Sequence, residues 1–170
     1  MPAGVDFRTR PFHMTTIGDS GRNIGSSVYW KLYAIENLLR VIIHSVLTAQ
    51  IGPHWWSLVA DPKLQGNVQR IEQDYARKPR HSPPGRHYIY YVFLRDLNRI
   101  VLASINHFRP IIPDIDQWLS RLENIRLPRN IVGHMNWPNA FDRQMIDQTY
   151  LQMKTLFREF SRSGPPIIIP

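Results

Sequence analysis

Apolar residues recur with a helical period along most of the chain from Val28 onward. Ile35, Leu38, Leu39, Ile42, Ile43 and Val46 mark the strongest stretch, which Ser26 or Ser27 is placed to cap and Gly52-Pro53 to stop, so a helix is predicted to end near Gln50. Val68, Ile71 and Tyr75 mark a shorter helix running from Asp61 as cap to Ala76, with Gly66 an unfavourable residue inside it. From Tyr88 to Phe108 the period is carried by Ile89, Val92, Phe93, Leu97, Ile100, Val101 and Ile105. The β-branched and aromatic start of that stretch also suits a strand, and its length decides for helix.

Asp114, after Pro113, is placed to cap a helix striped by Ile115, Trp118, Leu119, Leu122 and Ile125, which Pro128 kinks or ends for want of an amide hydrogen. A short helix carrying Arg129 to His134 follows, and a last one from Asn139 to about Ser161 presents Phe141, Met145, Tyr150, Met153, Phe157 and Phe160. The fold class expected is all-α, a compact bundle of five to six helices over residues 28–161. A flexible arm bearing Pro and Gly precedes it over 1–27, and a short tail follows over 162–170. Sustained repeats, heptads and a glycine-rich phosphate loop are lacking, which removes solenoid, coiled-coil and P-loop readings.

Composition narrows the function classes. The 170 residues fit one domain, and 43% hydrophobic with 20% charged residues is ordinary for a folded chain. A formal charge of +8 attracts polyanions, of which nucleic acid is the commonest, although a membrane surface or an acidic protein satisfies the same field. Arg greatly outnumbers Lys, which favours bidentate phosphate contacts. With no cysteine, disulfides, thiolate nucleophiles and Cys-bearing zinc sites are excluded, and a cytoplasmic location is expected. A leader is not evident at the N-terminus, and the most apolar run, Val41 to Ile51, is broken by His44, Ser45 and Gln50, so no membrane span is expected.

The loop Lys78 to His87 is basic and rich in Pro and Gly; it reads first as a solvated face and second as part of a substrate path. Trp55, Trp56, Trp118 and Trp137 are candidates for base stacking, with Trp118 assigned to the core because it joins an apolar stripe. His44, His54, His81, His87 and His107 show no ligand spacing and no acidic cluster stands near them, so neither a metal nor another cofactor is expected. A basic DNA-binding regulator is disfavoured, because no helix-turn-helix glycine turn leads into a basic helix.

The chemistry concentrates at Arg129-Asn130-Ile131-Val132-Gly133-His134. Metal-free RNA cleavage needs a base for the 2′-hydroxyl, an acid for the leaving 5′-oxygen and a cation for the phosphorane. Histidine suits the proton transfers near neutrality, and arginine's planar fork suits the phosphate oxygens. Five helical steps of about 100° put Arg129 and His134 roughly 140° apart around the axis, so a long Arg reaching across, or a second subunit, has to complete the site. Asn130 and His134, with Arg126 a turn earlier, share one face if Pro128 only kinks the helix. The spacing alone is not specific: Arg8 and His13 repeat it across Pro11, and Arg80 and His87 stand two residues further apart across Pro83 and Pro84. The plain alternative is a helix-end imidazole and a solvated arginine.

The segment LENIRLPRNIVGH, near the end of a helical chain, resembles the motif region of the HEPN superfamily, in which Arg, a polar residue and a later His form a ribonuclease signature. Glu36 and Arg40 in ENLLR are similar to an E-x-x-x-[KR] element carried on an early helix by some of these ribonucleases. The resemblance spans Val28 to Phe160 in helix order and is loose outside these motifs. It implies Arg129, His134 and Asn130 as catalytic residues and Glu36, Arg40 and Arg126 as supporting or RNA-binding ones. It also implies a homodimer in which the motif helices of two copies meet, a single-stranded or looped RNA substrate, and a role as a toxin or anti-phage effector held by an antitoxin protein. One departure is Asn136, where some HEPN toxins carry a Tyr that an antitoxin modifies. The competing expectation is a non-catalytic HEPN-like module that binds nucleic acid or nucleotide and dimerises.

Overall fold

The computed structural model describes residues 14–170, which are helical with no strand among them. The elements are α1 (Met14–Ile24), a π-helical turn (Gly25–Tyr29), α2 (Trp30–Gln50), α3 (Trp55–Val59), α4 (Pro62–Ala76), a 3-10 turn (Tyr88–Tyr91), α5 (Leu94–Ala103), α6 (Ile105–Phe108), α7 (Ile115–Asn124), α8 (Arg126–Gly133) and α9 (Ala140–Ser163). The all-α bundle expected from periodicity is therefore present, with more and shorter pieces.

α2 is the axis of the bundle. Every residue from Ile42 to Leu47 is buried, because α5, α6 and α9 pack around this half of the helix. α9 runs in the same direction beside it: Lys31 pairs with Asp147, the Trp30 ring meets Tyr150 edge-on, and Ser45 exchanges hydrogen bonds with the backbone of Ile168 in the tail. The main core joins α2 to α3, α4, α5, α7 and the end of α9 through residues such as Ile35, Leu47, Trp55, Leu97, Trp118 and Phe160. A separate small cluster of Val28, Leu32, Val132 and Ile146 clamps α8 between the start of α2 and α9. That clamp fixes where Arg129 points.

Several local expectations are corrected. The arm predicted over 1–27 is helical from Met14 and continues into α2, so Ser26 and Ser27 lie inside a helix, their hydroxyls turned back to the Asn23 carbonyl; its first 13 residues, with the Arg8–His13 decoy, lie outside the described part. Arg143 of α9 holds this junction, donating to Asn23 and Ser27 while lying over the Trp137 ring, and its burial lowers the guanidinium pKa below the usual value. The stretch 88–108 is not one helix: Val92 and Phe93 are extended, and the chain breaks again at Ser104. Asp114 precedes α7 without a side-chain cap bond, whereas Asp61 does cap α4 through the Leu64 amide and Asn139 forms a reciprocal capping box with Asp142.

Pro128 neither kinks nor ends a helix. α7 stops at Asn124, and Pro128 sits in the first turn of α8, where a missing amide hydrogen leaves no bond unmade. The apolar stripe of α9 keeps Met153 and Phe160 buried as expected and Tyr150 and Phe157 half-buried against the core, but it buries Ile146 and Leu156 as well and leaves Phe141 exposed. The continuous helix Met14–Gln50 contains an 18-residue window of mean hydropathy 1.3, long and apolar enough to cross a membrane by length and composition; half of that window is buried inside this fold.

Candidate functional site

Glu36 and Arg40 lie one turn apart on α2, and the clamp of Val28, Leu32, Val132 and Ile146 brings α8 against that face. Arg129 Nε donates to Glu36 Oε1 at 2.8 Å, and Arg40 Nη2 donates to Glu36 Oε2 at 3.2 Å. One carboxylate thus bridges two guanidiniums from helices that are far apart in sequence, leaving a net positive charge. The Glu36 side chain is 13% exposed and that of Arg129 24%, so the pairing is largely withdrawn from solvent.

The two arginines are used differently. Arg40 directs its donors to protein oxygens, those of Ile89, Val92, Asn37 and Glu36, and so pins the 3-10 turn to α2. Arg129 is tied only through Nε; its plane lies over the Phe93 ring, 5.4 Å from the centroid, and among the described residues its terminal nitrogens meet no acceptor. Those nitrogens lie along α8 over Gly133, where a Cβ would stand 3.4 Å from Nη1.

These groups floor a cleft of about 300 Å³ lined also by Tyr29, Tyr33, Asn37, Pro84 and Tyr90. The wall at Pro84 is rigid, because the Tyr90 ring packs directly on Gly85, where a Cβ would come within 2.3 Å of it. His87 anchors the other end of the loop: it stacks on Trp55, stands 4.5 Å from the His44 ring, and accepts the Ile89 amide on Nδ1. Burial and the neighbouring His44 push the His87 pKa down to about 4, and burial lowers that of His44, which accepts from Trp55 Nε1. His87 is therefore a structural imidazole, while Lys78, Arg80 and Arg86 of the same loop stay exposed.

Of the residues singled out from sequence, Glu36, Arg40 and Arg129 converge; the others do not join the cleft lining of a single chain. His134 is exposed at the C-terminal cap of α8, outside the lining of the cleft that holds Arg129. Asn130 is half-buried on α8, and Arg126 pairs with Glu123. Immediately after His134, Met135 adopts a left-handed conformation with φ of 59°. The Met135 amide donates to Val132 and the Asn136 amide to Ile131, so α8 ends in the hydrogen-bond pattern that a glycine usually closes. A methionine there stores local backbone strain beside the imidazole.

Of the four tryptophans singled out from sequence, Trp55, Trp56 and Trp118 are buried, and Trp137 lies under Arg143. The exposed aromatics lining the cleft are Tyr29 and Tyr33, which sequence reasoning passed over, while Phe93, expected on an apolar helix face, is exposed against Arg129; the available signal was Tyr29, Tyr33 and Asn37 at four-residue spacing beside Glu36 and Arg40. Among the described residues no three or more His, Asp or Glu side chains converge as metal ligands. The class defined by structure is an all-α bundle with an arginine–carboxylate–arginine cleft. No family model, curated protein or solved structure gives a significant match to the chain.

Proposed function

We propose that this chain is a metal-independent endoribonuclease of the HEPN type, acting as a homodimer on single-stranded or looped RNA. The observation that carries the reading is the Glu36 bridge between Arg129 and Arg40, which joins two sequence elements resembling HEPN motifs in one positively charged cleft. Arg129, oriented through Nε by Glu36 and by Phe93, keeps two terminal nitrogens for the non-bridging oxygens of a scissile phosphate.

In this reading a second copy completes the site. His134 stands outside the cleft lining of its own chain, and around it α8 exposes Leu127 and Met135, apolar surface suited to meeting another α8. With two imidazoles at the phosphate, one takes the 2′-hydroxyl proton as the O2′–P bond forms. The other protonates O5′ as the P–O5′ bond breaks, leaving a 2′,3′-cyclic phosphate and a 5′-hydroxyl. Asn130, one turn before His134, positions it or the phosphate. The exposed cations of the Lys78–Arg86 loop and the charge of +8 draw the strand towards the cleft. A cytoplasmic role as a toxin or anti-phage effector follows from the same reading, with an antitoxin as partner; with Asn136 in place of the Tyr, neutralisation by modifying that residue is not open to it.

The exposure of His134 favours a second reading, a dimerising module that binds nucleic acid without cutting it. Incubating single-stranded RNA with wild type, Arg129→Ala and His134→Ala separates the two. Cleavage by wild type alone, with all three folded and dimeric, supports the nuclease; binding by all three with intact RNA supports the module.

A further inference from the structure

The cleft holds more aromatic surface than its arginines require. Tyr29 and Tyr33 are 53% and 64% exposed, in a chain that buries Trp55, Trp56, Phe108 and Phe160 and also leaves Trp30, Tyr88, Phe93 and Phe141 exposed. They lie one turn apart on the helix face that carries Glu36 and Arg40, Tyr29 closing the π-helical turn Gly25–Tyr29, a distortion often found at functional sites, and Tyr33 in the first turn of α2. Across from them stands Tyr90, held by the close approach of its ring to Gly85 and flanked by Pro84.

We propose that Tyr29, Tyr33 and Tyr90 form a nucleobase-stacking subsite, placing one nucleotide of single-stranded RNA in the cleft with its phosphate on Arg129. This rests on the RNA reading of the same cleft and adds the mode of recognition. Ring faces offer stacking to any base. The amide and charged side chains beside the rings are engaged within the protein: Asn37 donates to the Tyr33 carbonyl and accepts from Arg40, Arg40 is bonded to backbone carbonyls, and Glu36 holds both arginines. The subsite therefore holds a base by its face with little regard to identity, and it selects against duplex, whose bases are already stacked on one another.

The test measures anisotropy of labelled 2′-O-methyl oligonucleotides, which lack the attacking hydroxyl and so report binding apart from cleavage. Tyr33→Ala, an exposed truncation, is expected to weaken Kd about ten-fold, in line with loss of one aromatic–base stack. Tyr33→Trp is expected to restore it, and homopolymers of different bases to bind within a few-fold of one another. Wild-type affinity in Tyr33→Ala, a wild type that does not bind, or a variant that falls from dimer to monomer in sedimentation would overturn the proposal, the last because the face would then be an interface. Weakened binding in Tyr33→Ala with no cutting by wild type keeps the subsite and removes the nuclease. Cutting that depends on His134 but ignores Tyr33 does the reverse.

Discussion

Glu36 sits between two guanidiniums, and its charge rather than its shape holds them. Glu36→Gln keeps the volume but leaves Arg40 and Arg129 facing each other in a poorly solvated site. Removing one partner of a largely buried ion pair costs on the order of 3 kcal/mol. Urea unfolding should show that loss, and RNA cleavage should fall with it, because Arg129 no longer has its Nε anchor. Two residues beyond Gly133 the backbone itself is the constraint. Met135→Gly relieves a positive φ at an exposed position and should stabilise the chain by about 1 kcal/mol in the same assay. If His134 is presented by that strained turn, the stabilised variant should cleave RNA more slowly, and unchanged cleavage would separate the strain from the chemistry.

At the scale of elements, the Lys78–His87 loop is fixed at its end by a half-buried imidazole. An unfolded histidine titrates near 6.5 and folded His87 near 4, so between these values the unfolded chain holds the extra proton. Stability is complete above about pH 6.5 and declines as the pH falls towards 4, with His44 contributing in the same direction. Thermal melts across that window should show the decline, and His87→Gln should flatten it; an equally steep decline in the variant would place the sensitive group elsewhere. The elements themselves were readable where apolar spacing was regular and caps were strong, as at Asp61 and Asn139. α1 was hidden because Gly18, Gly21 and Gly25 disfavour helix, and tertiary contacts from Arg143 and Ile146 supply what propensity lacks. The break at Val92–Phe93 was equally hidden: Arg40 draws the Ile89 and Val92 carbonyls to itself, a contact made across some fifty residues.

At the scale of the molecule, one helix organises both core and cleft. Residues 42–47 of α2 are buried on all sides, whereas the helix before them offers one face to α8 and α9 and another, with Tyr29 of the π-helical turn, Tyr33, Glu36 and Arg40, to the cleft. Apolar periodicity exposes the first role; the second emerges only when α8 is laid against it, which is why Arg129 was identifiable from its motif and the tyrosines were not. The central claim is metal-free RNA cleavage centred on Arg129 and His134. It is met most directly by incubating wild type and His134→Ala with end-labelled single-stranded RNA in excess EDTA and analysing the product termini. The account predicts fragments ending in 2′,3′-cyclic phosphate from wild type and intact RNA from the variant; intact RNA from a folded wild-type dimer, or equal cutting by both, would contradict it.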